Sequence, residues 1–213
     1  DKQEFNQERI GHLLPLEGKI LIALSQLSRN GKLYSKILLL NPATFEINSF
    51  EIDLSIIYKV FVNNSEIYFS GIETEPVFRA GFYLLIFNAD KFNSAVFEKI
   101  SDEFIENKVK YSEHLFFGRG CIYSLKNKSL ERTSLCHEDE TILDALSVNG
   151  FIFILKRKGL NSYLYKFDNK FKIIEKESIG RYLTNPELKF SLDKKLYLID
   201  RNQTILVKNF SEE

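Results

Sequence analysis

One short segment is written five times along this chain, and no other feature constrains its folding as much. Lys19-Ile-Leu-Ile-Ala-Leu24, Ser65-Glu-Ile-Tyr-Phe-Ser70, Glu113-His-Leu-Phe-Phe-Gly118, Gly150-Phe-Ile-Phe-Ile-Leu155 and Lys194-Lys-Leu-Tyr-Leu-Ile199 share one form. Each opens on polar or Gly residues and continues in β-branched, Leu or aromatic residues. That composition suits a strand buried on both faces. The copies start roughly 46, 48, 37 and 44 residues apart. A period of this length marks units that bury one another's apolar faces by stacking.

Each copy is followed by a turn and a second apolar strand: Leu33 to Leu40, Gly81 to Phe87, Cys121 to Leu125, Ser162 to Phe167 and Thr204 to Phe210. In the first four units a short polar turn comes next, as in Asn41-Pro-Ala-Thr44 or Asp168-Asn-Lys170. Asn, Asp and Pro favour turns by capping their own backbone or by fixing φ. A more polar strand then returns, at Phe45 to Ile52, Ser94 to Ile100, Leu130 to Leu135 and Phe171 to Ile179. Its charges suit an outer edge, where they discourage edge-to-edge pairing. A fourth, inner strand precedes each unit, at Gly11 to Leu16, Tyr58 to Val62, Val109 to Ser112, Ala145 to Val148 and Leu188 to Leu192. The repeat register sets Asp90 to Lys99 as turn and strand against a weaker helical pattern. Ser101 to Lys108, acidic and amphipathic, is expected to make one helical turn.

The units therefore run approximately 10–52, 53–100, 101–136, 137–180 and 181–213, within one expected domain of 213 residues. The fifth lacks an outer strand. Either Asp1 to Arg9 supplies it, or the sequence is a piece of a longer array.

Four-stranded antiparallel units repeating at this period resemble the β-propeller superfamily, and the resemblance covers nearly the whole chain. It implies an all-β propeller of about five blades, or a fragment of a larger one, with the innermost strands around a central channel. The WD-repeat signature is absent, since the chain has no Trp, and so is a kelch-type Gly-Gly pair. Lys195 to Phe210 is similar to the repeats of six-bladed propellers of the NHL type. The superfamily includes binding scaffolds, lectins and hydrolases, so the fold alone does not choose among them.

Charge narrows the partners. Lys+Arg and Asp+Glu both number 29, and a chain of zero net charge lacks the general positive field that nucleic acid or an anionic membrane requires. No nucleic-acid partner is expected. The longest apolar runs, such as Phe151 to Leu155, are far too short to span a bilayer. The chain does not begin with Met, which reads as either a processed product or a trimmed piece. Its compartment is not legible. The two cysteines, Cys121 and Cys136, flank the hairpin of the third unit; two buried free thiols are favoured over a single bridge.

Five of the eight arginines fall between the second and third strand of a unit, one in each: Arg29, Arg79, Arg119, Arg157 and Arg201. Equivalent turns of a propeller share a face, so these would form a circle of like charge. Guanidinium forks suit carboxylates and phosphates. The expected partner is a protein or an anionic ligand on that face, with Glu73, Phe78 and Arg79 of the long loop Gly71 to Arg79 as contact residues. The plain alternative is that Gly sets the turn and Arg is a readily solvated neighbour.

Other candidates are weaker. His137, Glu138, Asp139 and Glu140 suit either a divalent cation or a solvated acidic loop, and no metal site is expected. His12 and His114 each precede an apolar strand and read as packed or hydrogen-bonded. A glycosidase would need two facing carboxylates; Asp53, Glu73, Asp144 and Glu187 lie near inner-strand starts or turns, and nothing selects a pair. A lectin site would need exposed aromatics, with Phe78, Phe82 and Tyr182 as the candidates. There is no nucleophile-elbow pattern and no Gly-rich phosphate loop, so no cofactor is expected. The reading is a non-catalytic scaffold that binds a macromolecular partner through its loops, with a carbohydrate-active propeller as the alternative.

Overall fold

A strand buried on both faces meets no water, so its peptide groups must be satisfied by neighbouring strands. The computed structural model, which describes residues 9–209 except 64, 65, 74–77, 89, 90, 138, 181, 182, 193 and 202, satisfies them by antiparallel pairing of strands consecutive in the chain. Two units, Asp1–Glu106 and Asn107–Glu213, carry separate cores. No helix occurs among the described residues.

The first unit holds two four-stranded sheets. One is β1 (Arg9–Leu16), β2 (Lys19–Arg29), β3 (Lys32–Leu40) and β4 (Ile47–Ile52). The other is β5 (Ile56–Asn63), β6 (Glu66–Glu73), β7 (Arg79–Asn88) and β8 (Lys91–Ser101). The second unit holds three sheets. These are β9 (Asn107–Lys108), β10 (Leu115–Gly118), β11 (Cys121–Lys126) and β12 (Ser129–Arg132); β13 (Thr141–Val148), β14 (Phe151–Lys158), β15 (Asn161–Phe167) and β16 (Ile173–Ser178); and β17 (Pro186–Phe190), β18 (Lys195–Asp200) and β19 (Gln203–Asn209). The described strands match the expected set except for the inner strand of the third unit: β9 is Asn107–Lys108, and the expected Val109 to Ser112 form no strand, because Lys110 turns away to bridge Leu146 of β13.

The five-fold segment is buried as its composition requires. On β14, Ile152 and Ile154 face the core shared with β10 and β11, while Phe153 and Leu155 face the core shared with β17 and β18. At about 1.5–3 kcal/mol for each large apolar side chain removed from water, such strands dominate the folding energy. The outer strands are polar and open; five of the six residues of β16 are exposed.

Turn chemistry fixes the register. Arg29 pairs with Lys32 and Gly118 with Cys121 across two-residue turns, Asn30–Gly31 and Arg119–Gly120. All four turn residues have positive φ, 52° and 79° in the first turn and 47° and 78° in the second. This is the hairpin turn whose twist matches its strands.

The first strand of three sheets carries a bulge at the same place. The register shifts between Ile10 and His12, between Ile57 and Lys59, and between Ile142 and Asp144. A bulge re-aims the side chain that follows it. His12 hydrogen-bonds to the backbone of Ile57 and Tyr58 at the next sheet's bulge, and Asp144 accepts from Leu188 N of the next sheet at 2.7 Å. In both cases a polar group after the bulge ties neighbouring sheets together. Burial, the larger influence on His12, lowers its pKa against the raising effect of these bonds.

Two expectations are corrected. Residues 103–106 form no helical turn: Ile105 is fully buried and its N–H donates to Ser70 Oγ at 3.2 Å, which holds the segment extended as a connector. Cys121 and Cys136 are bonded to each other, with Cα atoms 4.0 Å apart. After β12 the chain runs back along β11, with Thr133 N donating to Ile122 O and His137 N to Gly120 O, and this return brings Cys136 to Cys121. A bridge closing 15 residues contributes about 3 kcal/mol by loop entropy. The double variant Cys121→Ser/Cys136→Ser is expected to lose about that much in urea unfolding; an unchanged midpoint would show that the bridge adds nothing.

Candidate functional site

The clearest site lies in the second unit, where one lysine holds three sheets. The chain leaves β9 and runs parallel to β13: Lys110 N donates to Ala145 O at 3.0 Å and Ser147 N to Lys110 O at 2.8 Å. This fixes the Lys110 backbone beside the β13 bulge. Its ammonium then donates to Asp144 Oδ2 at 2.6 Å, to Leu188 O at 3.0 Å and to Glu187 Oε1 at 3.2 Å. Three donors meet three acceptors, so the ammonium is saturated. Asp144 is buried, and its second oxygen accepts from Ala145 N at 2.9 Å. Glu187 is half exposed and also pairs with Lys189 at 3.4 Å. Partial burial alone would raise the Glu187 pKa; the hydrogen bonds and charges of Lys110 and Lys189 outweigh it, so the carboxyl lies below its ordinary value.

Beside this knot opens a cleft of about 380 Å³, lined by Asn107, Lys110, Leu143, Asp144, Asn185, Pro186, Glu187, Ile199 and Arg201. Asp144, Glu187 and Arg201 were each singled out from sequence, and the fold brings them together. Lys110 was not. It stands between Val109 and Tyr111 with no spacing signal, and only the parallel run beside β13 gives it a role.

A second polar group surrounds the loop after the disulfide. Lys156 is almost fully buried on β14, its ammonium 3.3 Å from Glu140 Oε2, and neither of those atoms has a hydrogen-bond partner among the described residues. Burial lowers the Lys156 pKa and Glu140 opposes that shift. Asp139 pairs with Lys158. The two described carboxylates of the acidic loop are thus taken by lysines. Among the described residues no cluster of three or more His, Cys, Asp or Glu suits a metal; Glu138 lies outside them. The loop is seated on Gly120, where a Cβ would lie 2.3 Å from Glu140 O and 2.4 Å from His137 O.

The arginines sit at the second-to-third-strand hairpins of their sheets in differing surroundings. Arg29 makes a two-pronged bond to Glu51, at 2.8 and 3.1 Å, and lies 5.2 Å from the Tyr34 ring centre. Arg79 is exposed, stands opposite Glu73 in the ladder and acts on Asp102 through its charge. Arg119 is exposed in its turn, and Arg157 is half-buried on β14 between Thr141 and Ser162. Arg201 is exposed at the cleft. Exposed apolar residues accompany three of these hairpins: Leu33 near Arg29, Phe78 (74%) beside Arg79, and Leu160 (76%) near Arg157.

The other candidates separate. Glu73 accepts a bond from Tyr83 Oη at 2.7 Å, and Asp53 pairs with Lys32 at 3.3 Å. Phe82 is not an exposed aromatic: it is fully buried, stacked on Tyr68 with ring centres 5.6 Å apart, because its strand position faces the core. Tyr182 lies outside the described residues.

No protein-family model matches the chain, and no curated protein does. Among solved structures it is similar to the acylaminoacyl peptidase of Pyrococcus horikoshii, at 12% identity and a TM-score of 0.53, over 97% of this chain and 39% of that one. It is also similar to the β-propeller domain of the Trilobed protease from Pyrococcus furiosus, which has an open velcro topology, at 13% identity and TM-score 0.52, over 93% and 69%. The Dos1 propeller matches at 9% identity and TM-score 0.53, over 96% and 59%. The chain thus spans about two fifths of the length of that acylaminoacyl peptidase. Likeness at such identities defines the fold. This chain is an all-β propeller structure whose described residues form four four-stranded antiparallel sheets and one of three strands.

Two outcomes follow from the charged groups. Glu140→Gln is expected to cost about 3–5 kcal/mol, because it leaves a buried ammonium unpaired. The double variant Lys156→Met/Glu140→Gln, which removes both charges at similar volume, is expected to be neutral or stabilising; a double variant less stable than Glu140→Gln alone would refute this account. Glu187 has a folded-state pKa below its unfolded value near 4.5, so its contribution is present above that pH and is lost as pH falls through the folded value. Wild type and Glu187→Gln should therefore differ in unfolding free energy at neutral pH and converge below pH 4.5.

Proposed function

We propose that the chain is a non-catalytic propeller scaffold that binds a macromolecular partner through its second-to-third-strand hairpins. The observation that carries this reading is the recurrence of an exposed apolar side chain with an arginine at these hairpins, Phe78 with Arg79 in the first unit and Leu160 with Arg157 in the second. Aromatic residues and arginine are the types enriched among residues that dominate protein–protein binding. Rigid sheets hold the hairpins, so little ordering entropy is lost on contact.

The carbohydrate-active alternative has less support. A glycosidase acid must keep its proton near neutral pH, yet the Glu187 pKa is lowered, and Asp144 is consumed by Lys110 and two backbone N–H groups. The neighbouring solved structures include peptidases, but likeness at 8–13% identity carries no activity across.

Cross-linking of the full chain in extract from its source cells, read by mass spectrometry, would name contacting proteins. Binding of the purified partner is expected to weaken at least about tenfold in Arg79→Glu/Arg157→Glu, with a flatter salt dependence. Equal affinity and an equal salt slope would overturn the reading.

A further inference from the structure

Resting on that partner-binding reading, we infer that the cleft beside Lys110 is a receptor site for a single carboxylate presented by a peptide segment of the partner. The chemistry follows from counting which polar groups of the lining are already used. The Lys110 ammonium has three acceptors and no donor left. Asp144 accepts from Lys110, Ala145 N and Leu188 N. Glu187 accepts from Lys110 and faces Lys189. The Asn185 N–H is taken by Asp200 Oδ1 at 3.0 Å, and Asn107 Oδ1 accepts from Lys108 N at 3.2 Å. What remains open toward the cleft is the Arg201 guanidinium with the side-chain amides of Asn185 and Asn107. The first has no acidic partner among the described residues, and the amide nitrogens have no acceptor there.

The unsatisfied groups are therefore chiefly donors, and they ask for a ligand rich in acceptors. A guanidinium fork matches a planar carboxylate with two parallel bonds. The formal charges of the lining cancel, with Lys110 and Arg201 against Asp144 and Glu187. A monoanion held by Arg201 can tolerate Glu187, whose charge is offset by Lys110 and Lys189. A phosphate dianion would meet that carboxylate with twice the repulsion. Leu143, Pro186 and Ile199 supply an apolar wall suited to the methylenes or neighbouring side chain of a peptide rather than to a bare ion. Arg201 itself is presented by a tight turn, with φ of 48° at the tip of the β18–β19 hairpin, so its backbone is placed before any ligand arrives.

The test uses the full chain and four short peptides: acetyl-Ala-Glu-Ala amide, its Gln counterpart as amide, the Gln counterpart as free acid, and the phosphoserine counterpart as amide. Binding is followed by the amide resonances of Asn185, Glu187 and Arg201. Saturable shifts with the Glu peptide, the free acid or both, and none with the neutral amide, are expected; which of the two binds tells a side-chain carboxylate from a chain terminus. Arg201→Gln should weaken that binding at least about tenfold, as loss of a charge-assisted hydrogen bond does, while its unfolding curve stays unchanged. Glu187→Gln should narrow the disadvantage of the phosphoserine peptide. Absence of saturable shifts, equal binding by Arg201→Gln, or tightest binding by the phosphoserine peptide would overturn the inference. Arg79→Glu/Arg157→Glu should bind these peptides as wild type does, since neither residue lines the cleft, so this result stands or falls apart from the hairpin reading.

Discussion

Backbone hydrogen bonding inside strands that water cannot reach is the constraint on which this structure depends. A strand such as β14, with Ile152 and Ile154 in one core and Phe153 and Leu155 in another, has both faces occupied by side chains. Its peptide groups can find partners only sideways, in β13 and β15. Charged side chains are then mostly kept to strand ends, turns and outer edges. The arginines lie at hairpins, Asp144 follows a bulge, Glu187 is near a strand start and Lys110 is just beyond β9, while Lys156, buried within β14, is the exception.

The same constraint explains what the sequence revealed. Double-sided burial imposes continuous apolar runs, and these are what repeat, so strand number, order and approximate bounds were readable from Lys19, Ser65, Glu113, Gly150 and Lys194 onward. The bulges were not readable, because the extra residues Gly11, Tyr58 and Leu143 share no side-chain type; a bulge is a property of pairing, and pairing involves a second strand. The disulfide was missed for a related reason. Its geometry is made by the return of residues 133–137 along β11, where no regular strand announces itself. Phe82 is buried because β7 is covered on both faces, Phe82 through Leu85 all being buried, so neither register would have exposed it.

The candidate site was legible in parts and not as a whole. Asp144, Glu187 and Arg201 stood out as charged residues near strand starts and turns, yet their convergence depends on Lys110, whose neighbours in sequence carry no hint. Lys156 shows the opposite case. It sits within β14 and is buried because β13, β15 and the Glu140 loop surround it. Charge alone gives no depth; the surroundings supplied by distant segments do.

The topology also bears on how the chain is made. Each sheet is assembled from strands that follow one another directly in the chain, and its hairpins close over two-residue turns at several points. A nascent polypeptide leaving the ribosome can therefore complete one sheet before the residues of the next exist. Pairing mistakes are confined to a few dozen residues at a time, and the apolar strands are hidden in order of synthesis. A protein whose strands look so alike from one copy to the next needs this sequential closure, because strands of different sheets would otherwise compete for the same neighbours.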